Sequence, residues 1–209
     1  MGGAPDAGRA SRRSPMPGGL HFTRSRRWPR RLRRLAAALL LVVLVGVALA
    51  LILVVLPETR AVPGDTDAVV VLPGGDGERL QAAQRVMPAG ATEVLVVTNP
   101  QRAQWPDGES WCATTRDGYE VQCTPVGPST TRGEAQMIAA LADRRGWTEL
   151  TLLTSTYDVA RARMILQRCV DADIAAVSAT PDLSPLAWVG VSVRELWELA
   201  RDGLIQRGC

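Results

Sequence analysis

The chain has 209 residues, a formal net charge of +3 and 46% hydrophobic residues. It contains no lysine and a single histidine, His21, which precedes a long apolar segment. Beyond that segment, this composition excludes Ser-His-Asp and Cys-His catalysis, a histidine zinc site, a lysine Schiff base and a Walker lysine. Carboxylates and tyrosine remain for proton transfer, and arginine and backbone N–H groups remain for binding anions.

The first 34 residues carry ten arginines against one acid, Asp6, for a net charge of +9. This composition predicts a disordered tail over residues 1–34. Residues 35–56 follow with no charge and no proline, and as a helix they would extend roughly 33 Å, which is enough to cross a bilayer. A retained transmembrane helix is therefore predicted.

The arginines before the apolar segment place the N-terminus in the cytoplasm by the positive-inside rule. The prediction is a single-pass plasma-membrane protein whose C-terminal part lies outside the cytoplasm. A cleaved signal peptide is the alternative, but the apolar run is longer than such peptides use, and no small-residue cleavage site follows it. Ser-Arg-Arg occurs twice in the tail, and a twin-arginine export signal is a further alternative that the flanking residues support poorly.

The net charge is divided unevenly along the chain. Residues 35–209 contain 14 arginines and 20 acids, a net charge of −6. Nucleic-acid binding by this part has no electrostatic support. The basic tail is instead expected to contact the lipid bilayer through anionic lipid headgroups.

A linker over residues 57–65 leads into one predicted domain over residues 66–209. Continuous apolar runs predict strands buried on both faces at residues 68–72, 94–97, 150–153 and 174–177. Helical patterns occur at Glu78–Val86 and at residues 132–145, 157–169 and 193–206. This alternation predicts an α/β fold with a mostly parallel sheet and helices on both sides.

All four cysteines follow the apolar segment, where disulfides can persist if that part is exported. Cys112 and Cys123 each lie five residues from Asp117-Gly118, which predicts a hairpin that places them opposite one another, about 5.5 Å apart in Cα. This pairing leaves Cys169 with Cys209. Residues 99–130 are interpreted as a disulfide-stapled excursion that could cover the site as a lid. A metal site is not expected, because no two cysteines have CxxC spacing.

Polar segments follow three of the predicted strands, at the edge where open α/β sheets bind ligands. The first contains paired glycines before an arginine, the second opens a helix with threonine and glutamate, and the third is Thr-Ser-Thr-Tyr-Asp followed by arginine. Together they predict a site for an anionic ligand. The candidate ligand-binding residues are Gly74, Gly75, Arg79, Thr131, Thr154, Ser155, Tyr157 and Arg161, and the candidate catalytic residues are Glu134 and Asp158.

Two of these segments also fit ordinary helix caps. Thr131 with Glu134 matches a capping box, and Ser155 with Asp158 resembles one with aspartate in place of glutamate. A cap does not require Tyr157 or Arg161, so these two residues are the stronger ligand candidates of the third segment.

The order of these motifs resembles the YdcF/SanA/ElyC-like family, a bacterial domain of unknown function. The resemblance covers roughly residues 66–209 and depends mainly on Thr131, Glu134 and Ala135 and on the Thr-Ser-x-Tyr and Arg-Ala motifs of the third segment. It implies a Rossmann-like, doubly wound fold behind a membrane span, and a role in envelope integrity or in peptidoglycan or lipid-carrier metabolism. No cofactor is predicted from the residues; S-adenosylmethionine or a nucleotide is implied by the resemblance alone.

Asp158 stands where that family commonly has histidine. A carboxylate has a much lower ordinary pKa than imidazole, so a catalytic role cannot be transferred directly. Two hypotheses follow. One is an enzyme, a hydrolase or transferase, that acts on a phosphorylated or anionic envelope metabolite, with Arg79 and Arg161 as the anion clamp. The other is a non-catalytic envelope factor that binds a ligand or partner, with envelope-synthesis proteins as the partners that the resemblance implies.

Overall fold

The computed structural model describes residues 29–88, 90, 92–100, 108–112 and 118–209. Most of the predicted disordered tail lies outside these residues. Its last part is helical, because helix α1 runs over Arg30–Ala50 and continues as a π-helical turn, Leu51–Val55. The prediction of disorder is therefore wrong for residues 30–34.

The predicted apolar span corresponds to a helical segment that begins five residues earlier, with its arginines in the first turns. Arg30–Val55 is 26 residues long, with a mean hydropathy of 3.4 in its most apolar window, and it is long and apolar enough to cross a membrane. The chain divides into two compact units, Met1–Leu40 and Leu41–Cys209. The second unit therefore contains the C-terminal part of this helical segment together with the whole α/β domain.

The second unit is built on a five-stranded sheet in which every neighbouring pair is parallel. The strands are β1 Ala68–Val71, β2 Val94–Thr98, β3 Glu120–Thr124, β4 Glu149–Ser155 and β5 Asp173–Ala179, in the order β3-β2-β1-β4-β5. The chain winds outward from β1 in one direction and then returns to add β4 on the other side. This is the Rossmann-like, doubly wound arrangement, and its switch point lies between β1 and β4.

Helices cover both faces of the sheet. They are α2 Glu78–Val86, the short α3 Gly108–Cys112, α4 Thr131–Arg145, α5 Val159–Cys169 and α6 Pro185–Leu204, with a 3-10 turn at Thr156–Asp158 before α5. Alternate residues of β1 divide between two cores: Val70 packs with apolar residues of α4 and α5, whereas Val69 packs with those of α2. Burial on both faces explains the unbroken apolar runs of β1 and β2 and the three buried leucines of β4.

The predicted hairpin around Cys112 and Cys123 is wrong. Cys112 ends helix α3, and Cys123 lies in β3, which pairs in parallel with β2. β3 is an edge strand whose residues alternate between polar and apolar, so it lacks the continuous apolar run of its neighbours. The excursion therefore supplies a fifth strand, while residues 101–107 and 113–117, on which a lid would depend, lie outside the described part.

Both predicted disulfides are confirmed, although the hairpin expected to bring the first pair together is absent from the described residues. Cys112 and Cys123 are bonded with their Cα atoms 5.8 Å apart, and Cys169 and Cys209 with theirs 4.9 Å apart. The second bond joins Cys209 to the end of α5.

Helix α6 begins eight residues before its predicted start. Ser184 accepts a hydrogen bond from the N–H of Ala187, and Pro185 occupies the first turn.

Glu149, at the start of β4, provides a pH-dependent prediction. Partial burial, then Asp173, Asp65 and Asp67, raise the pKa of its carboxyl above the ordinary value. An acid with a raised folded-state pKa favours folding below its unfolded pKa and loses that contribution as the pH rises through the folded value. Glu149→Gln should therefore raise the melting temperature at neutral pH, and the difference should disappear on acidification.

Thermal melts over a pH series would check this prediction. Glu93→Gln, which changes an exposed acid at the start of β2, should leave the pH dependence of the wild type unchanged. An increase in melting temperature for Glu149→Gln that persisted at acidic pH would contradict the electrostatic cause.

Candidate functional site

The three polar segments predicted from the sequence line one cleft of about 640 Å³ at the carboxyl edge of the sheet. The cleft lies at the switch point, since one segment follows β1 and another follows β4. Eight of the ten predicted site residues line it: Gly74, Gly75, Arg79, Thr131, Glu134, Tyr157, Asp158 and Arg161. The convergence of the segments is confirmed; the chemical roles of their residues stay predictions.

Arg79 is buried at the floor of this cleft. Its Nε donates to Ser155 Oγ at 2.7 Å, and its Nη1 donates to the carbonyl oxygens of Leu72 at 3.2 Å and Pro73 at 2.7 Å. Its Nη2 lies 3.5 Å from Asp158 Oδ2. Most of its donors are thus used to join the end of β1 to the end of β4, which favours a structural role over the predicted anion clamp.

Gly74 and Gly75 allow the backbone after β1 to pass close to the side chains of Arg79 and Glu78. Gly74 has φ of 116°, and a Cβ there would lie 3.4 Å from the guanidinium of Arg79. Gly75 has φ of 72°, and a Cβ there would collide with the carboxylate of Glu78. That carboxylate accepts from the N–H of Asp76 at 2.7 Å and from the hydroxyl of Ser155. An acid of the chain itself therefore occupies the place expected for a bound anion.

Thr154 and Ser155 are fully buried and do not line the cleft. Thr154 Oγ1 donates to Asp158 Oδ2 at 3.1 Å, and the Ser155 hydroxyl binds Arg79 and Glu78. The side chain of Ser155 makes no capping hydrogen bond, so the capping interpretation is wrong. Their side chains bond to Asp158, Arg79 and Glu78, which line the cleft, and a direct contact with a ligand stays a prediction.

The capping interpretation of Thr131 is wrong as well. Thr130 caps α4 by accepting from the N–H of Gly133 at 3.1 Å. Thr131 begins the helix, and its Oγ1 instead accepts from Arg161 Nη1 at 3.3 Å. Because Thr130 caps the helix, the side chain of Thr131 is free of that role and lines the cleft.

Glu134 lies in the first turn of α4, is buried and lines the cleft. Its Oε1 accepts from Asn99 Nδ2 at 3.3 Å. Asn99 has φ of 44°, and its Oδ1 accepts from the N–H of Val126 at 2.7 Å. Asn99 was not among the predicted site residues, although an asparagine directly after a buried strand tolerates this left-handed backbone and can hold neighbouring loops.

Arg161 is the centre of a charged network. Its Nη2 donates to Asp158 Oδ1 at 2.6 Å and its Nε to Glu195 Oε2 at 2.9 Å, and its Nη1 lies 3.8 Å from Asp202 Oδ2. All three carboxylates are buried. Glu195 and Asp202 were not among the predicted site residues, because the helical pattern over residues 193–206 does not show which side of the helix faces the cleft. Their seven-residue spacing on one face was the available signal.

The electrostatics of this network argue against an anion clamp at Arg161. Burial opposes its charge, but Asp158, Glu195 and Asp202 more than compensate, so the pKa of the guanidinium is raised above its ordinary value. The same three acids also pair with Arg79, Arg194 and Arg201, so Arg161 belongs to a larger network of ion pairs. Arg161 therefore holds α5, α6 and the 3-10 turn together.

The more accessible cations of the cleft lie on α6. The side chains of Arg194 and Arg201 are 60% and 38% exposed, against 16% for Arg161. The charged lining comprises four arginines, Arg79, Arg161, Arg194 and Arg201, and six acids, Asp76, Glu78, Glu134, Asp158, Glu195 and Glu198. Within the described ranges, no group of three or more metal-binding side chains is arranged to hold an ion.

Tyr157 occupies the 3-10 turn between β4 and α5 and lines the cleft. Its ring packs edge-to-face on Trp188 of α6, with centroids 6.5 Å apart. Edge-to-face packing of this kind fixes the plane of a ring without using its hydroxyl group. Tyr157 is thus oriented by packing, in contrast to the ion-paired residues around it.

No protein-family model matches the chain, and searches of curated proteins and of solved structures likewise find no significant match. The resemblance to the YdcF/SanA/ElyC-like family therefore stays a prediction from the motifs, and the assignment of a function depends on the geometry of the cleft.

Proposed function

We propose that this chain is a membrane-anchored extracytoplasmic protein of cell-envelope biogenesis or integrity. It acts on a phosphorylated or otherwise anionic small molecule, or on a lipid-linked envelope precursor. The N-terminus lies in the cytoplasm, consistent with the arginines before the apolar helix. Two disulfides support an oxidising compartment for the domain.

The observation that carries this proposal is the position of the cleft relative to the end of the apolar helix. The π-helical turn Leu51–Val55 packs against α6 and against the 3-10 turn Thr156–Asp158. Both of these elements also line the cleft. A ligand held at the bilayer surface, such as the headgroup of a lipid-linked precursor, would therefore be within reach of the cleft.

The geometry of the cleft supports different roles for its arginines and acids from those expected from the sequence. Arg194 and Arg201, at the accessible wall, bind the anionic group, while Arg79, Arg161 and Asp158 hold the floor of the cleft in place. Both carboxylate oxygens of Asp158 are already bonded to partners, Oδ1 to Arg161 and Oδ2 to Arg79 and Thr154. Glu134 is the candidate for proton transfer, because its buried carboxylate lines the cleft.

A nucleotide or S-adenosylmethionine fits the described residues less well. A doubly wound fold that binds a ribose usually offers an acid after the second strand. Asn99 stands at that point, and its amide is already bonded to Glu134 and to the backbone of Val126. We therefore include neither group in the proposed chemistry.

Glu134→Gln is expected to abolish complementation of an envelope defect in cells that lack the native copy, while the full-length protein remains folded. The amide keeps the shape of the side chain but cannot accept a proton. The control is Asp143→Asn, which changes an exposed acid on the same helix and should complement fully. Circular dichroism of the purified full-length chain would establish that both variants fold. Full complementation by a folded Glu134→Gln variant would rule out this proton-transfer role.

The second candidate is a non-catalytic envelope factor, and the arrangement around Asp158 favours it. The residue at the position of the family's histidine is fully engaged in ion pairs. A binding function would need the wall arginines but not Glu134. Complementation by Glu134→Gln together with failure of an Arg194→Ala/Arg201→Ala double variant would select this candidate over the enzyme.

A further inference from the structure

Helix α6 reverses the usual arrangement of polar and apolar residues in a surface helix. Its buried residues are polar: Ser192, Glu195 and Asp202. Five of its large apolar side chains are exposed, namely Leu186, Val189, Val193, Trp197 and Leu204. These five residues recur at three-, four- and seven-residue spacings and so form one stripe, which we call the apolar face of α6.

The reversal has a physical cause on the inner side. Glu195 and Asp202 must point inward because they neutralise Arg161, and Arg168 donates to the carbonyl of Asp202 at 2.7 Å. Rotating α6 to bury its apolar face would expel both acids and leave Arg161 without compensation. The apolar face is therefore held outward, and Trp197, at 68% exposure, is its largest member. Exposed apolar stripes of this size mark interaction surfaces.

The geometry points to the lipid bilayer as the occupant of this face. The π-helical turn that ends the apolar N-terminal helix packs against α6. Ile52 in this turn and Leu56 directly after it are themselves exposed and apolar. The helix that carries the apolar face is thus in contact with the segment that would leave the membrane. A tryptophan in such a stripe and arginines at its border, Arg194 and Arg201, suit the headgroup layer, where indole rings and cations are favoured.

We propose that the apolar face of α6 lies in the headgroup layer of the membrane that holds the N-terminal helix. The inference rests on the membrane anchor of the proposed function but not on its substrate. Since the inner side of α6 is a wall of the cleft, this contact would fix the cleft at the bilayer surface. Arg194 and Arg201 would then lie between the lipid and the cleft.

Fluorescence quenching by brominated lipids tests the contact with the full-length chain. The protein is reconstituted into vesicles of phosphatidylcholine and phosphatidylglycerol with brominated acyl chains. Trp197→Phe should lose a component of quenching that the wild type shows, because phenylalanine keeps the face apolar but removes the reporter. Trp147→Phe is the matched control, since Trp147 is buried before β4, at the opposite strand end from the cleft. Val193→Glu, which retains Trp197, should also reduce quenching.

Three results would overturn the inference. Equal quenching in the wild type and in Trp197→Phe would place the face away from lipid. Protection of Trp197 from acrylamide without lipid quenching would show that a second copy covers it. Unchanged quenching in Val193→Glu would show that the apolar character of the face does not hold it at the lipid. Failure of the protein to float with vesicles would instead refute the anchor itself, so the two proposals fail in distinguishable ways.

Discussion

Arg161→Ala is expected to lower the free energy of unfolding by about 3–5 kcal/mol, the range for removing one partner from a buried ionic network. The variant leaves Asp158, Glu195 and Asp202 close together without their common cation. Like charges buried at short range repel, and the cost of removing them from water is no longer offset. Chemical denaturation of the purified full-length chain in detergent would measure the loss.

The matched control is Arg145→Ala, which removes an arginine from an exposed pair with Glu120. Exposed pairs of this kind contribute about 0–1 kcal/mol, so this variant should remain close to the wild type. Arg161→Lys should recover part of the loss, since it retains the charge but cannot span all three acids. Equal stabilities for Arg161→Ala and Arg145→Ala would show that the network does not hold α6 to the domain.

Arg79→Met should lower the free energy of unfolding by about 3 kcal/mol, mainly through hydrogen bonds lost by buried groups. Methionine matches much of the side-chain volume, so the carbonyls of Leu72 and Pro73 and the hydroxyl of Ser155 lose their donor without a large cavity. The ends of β1 and β4 would then separate at the switch point. Thermal melts and denaturant titration would detect the change.

Arg85→Met provides the control on the same helix, because Arg85 is exposed. It is expected to change stability by less than about 0.5 kcal/mol. If Arg79→Met were equally mild but abolished complementation, the buried arginine would be a ligand-binding residue, and the clamp predicted from the sequence would be restored.

The central strands could be predicted because buried strands are rich in apolar residues, which the sequence shows directly. β1 and β2 are covered on both faces and are almost entirely apolar, and β4 carries three buried leucines. The segments between the strands include stretches with helical periodicity. The edge strand β3 could not be found in this way. One side of its pairing is missing and its side chains are only half-buried, so its sequence resembles a polar loop.

The candidate cleft was predictable in outline, because the carboxyl ends of β1 and β4 must meet when parallel strands become neighbours. The partners of each side chain were not. Ser155 reads as a cap in the sequence but binds Arg79, which is 76 residues away, and Thr131 loses the cap to its neighbour. Local patterns cannot distinguish a hydroxyl that caps its own helix from one that bonds to a distant element.

By itself, the sequence determined the apolar N-terminal helix, the alternation of strands and helices and the absence of histidine and lysine from the domain. These properties are local or compositional, so no knowledge of distant contacts is needed. Only the tertiary structure decided which charges neutralise one another. It placed Glu195 and Asp202 of α6 against Arg161, turned the apolar face of that helix outward, and brought the end of the membrane-length helix beside the cleft. Ion pairing depends on distance in space, which the order of residues along the chain does not contain.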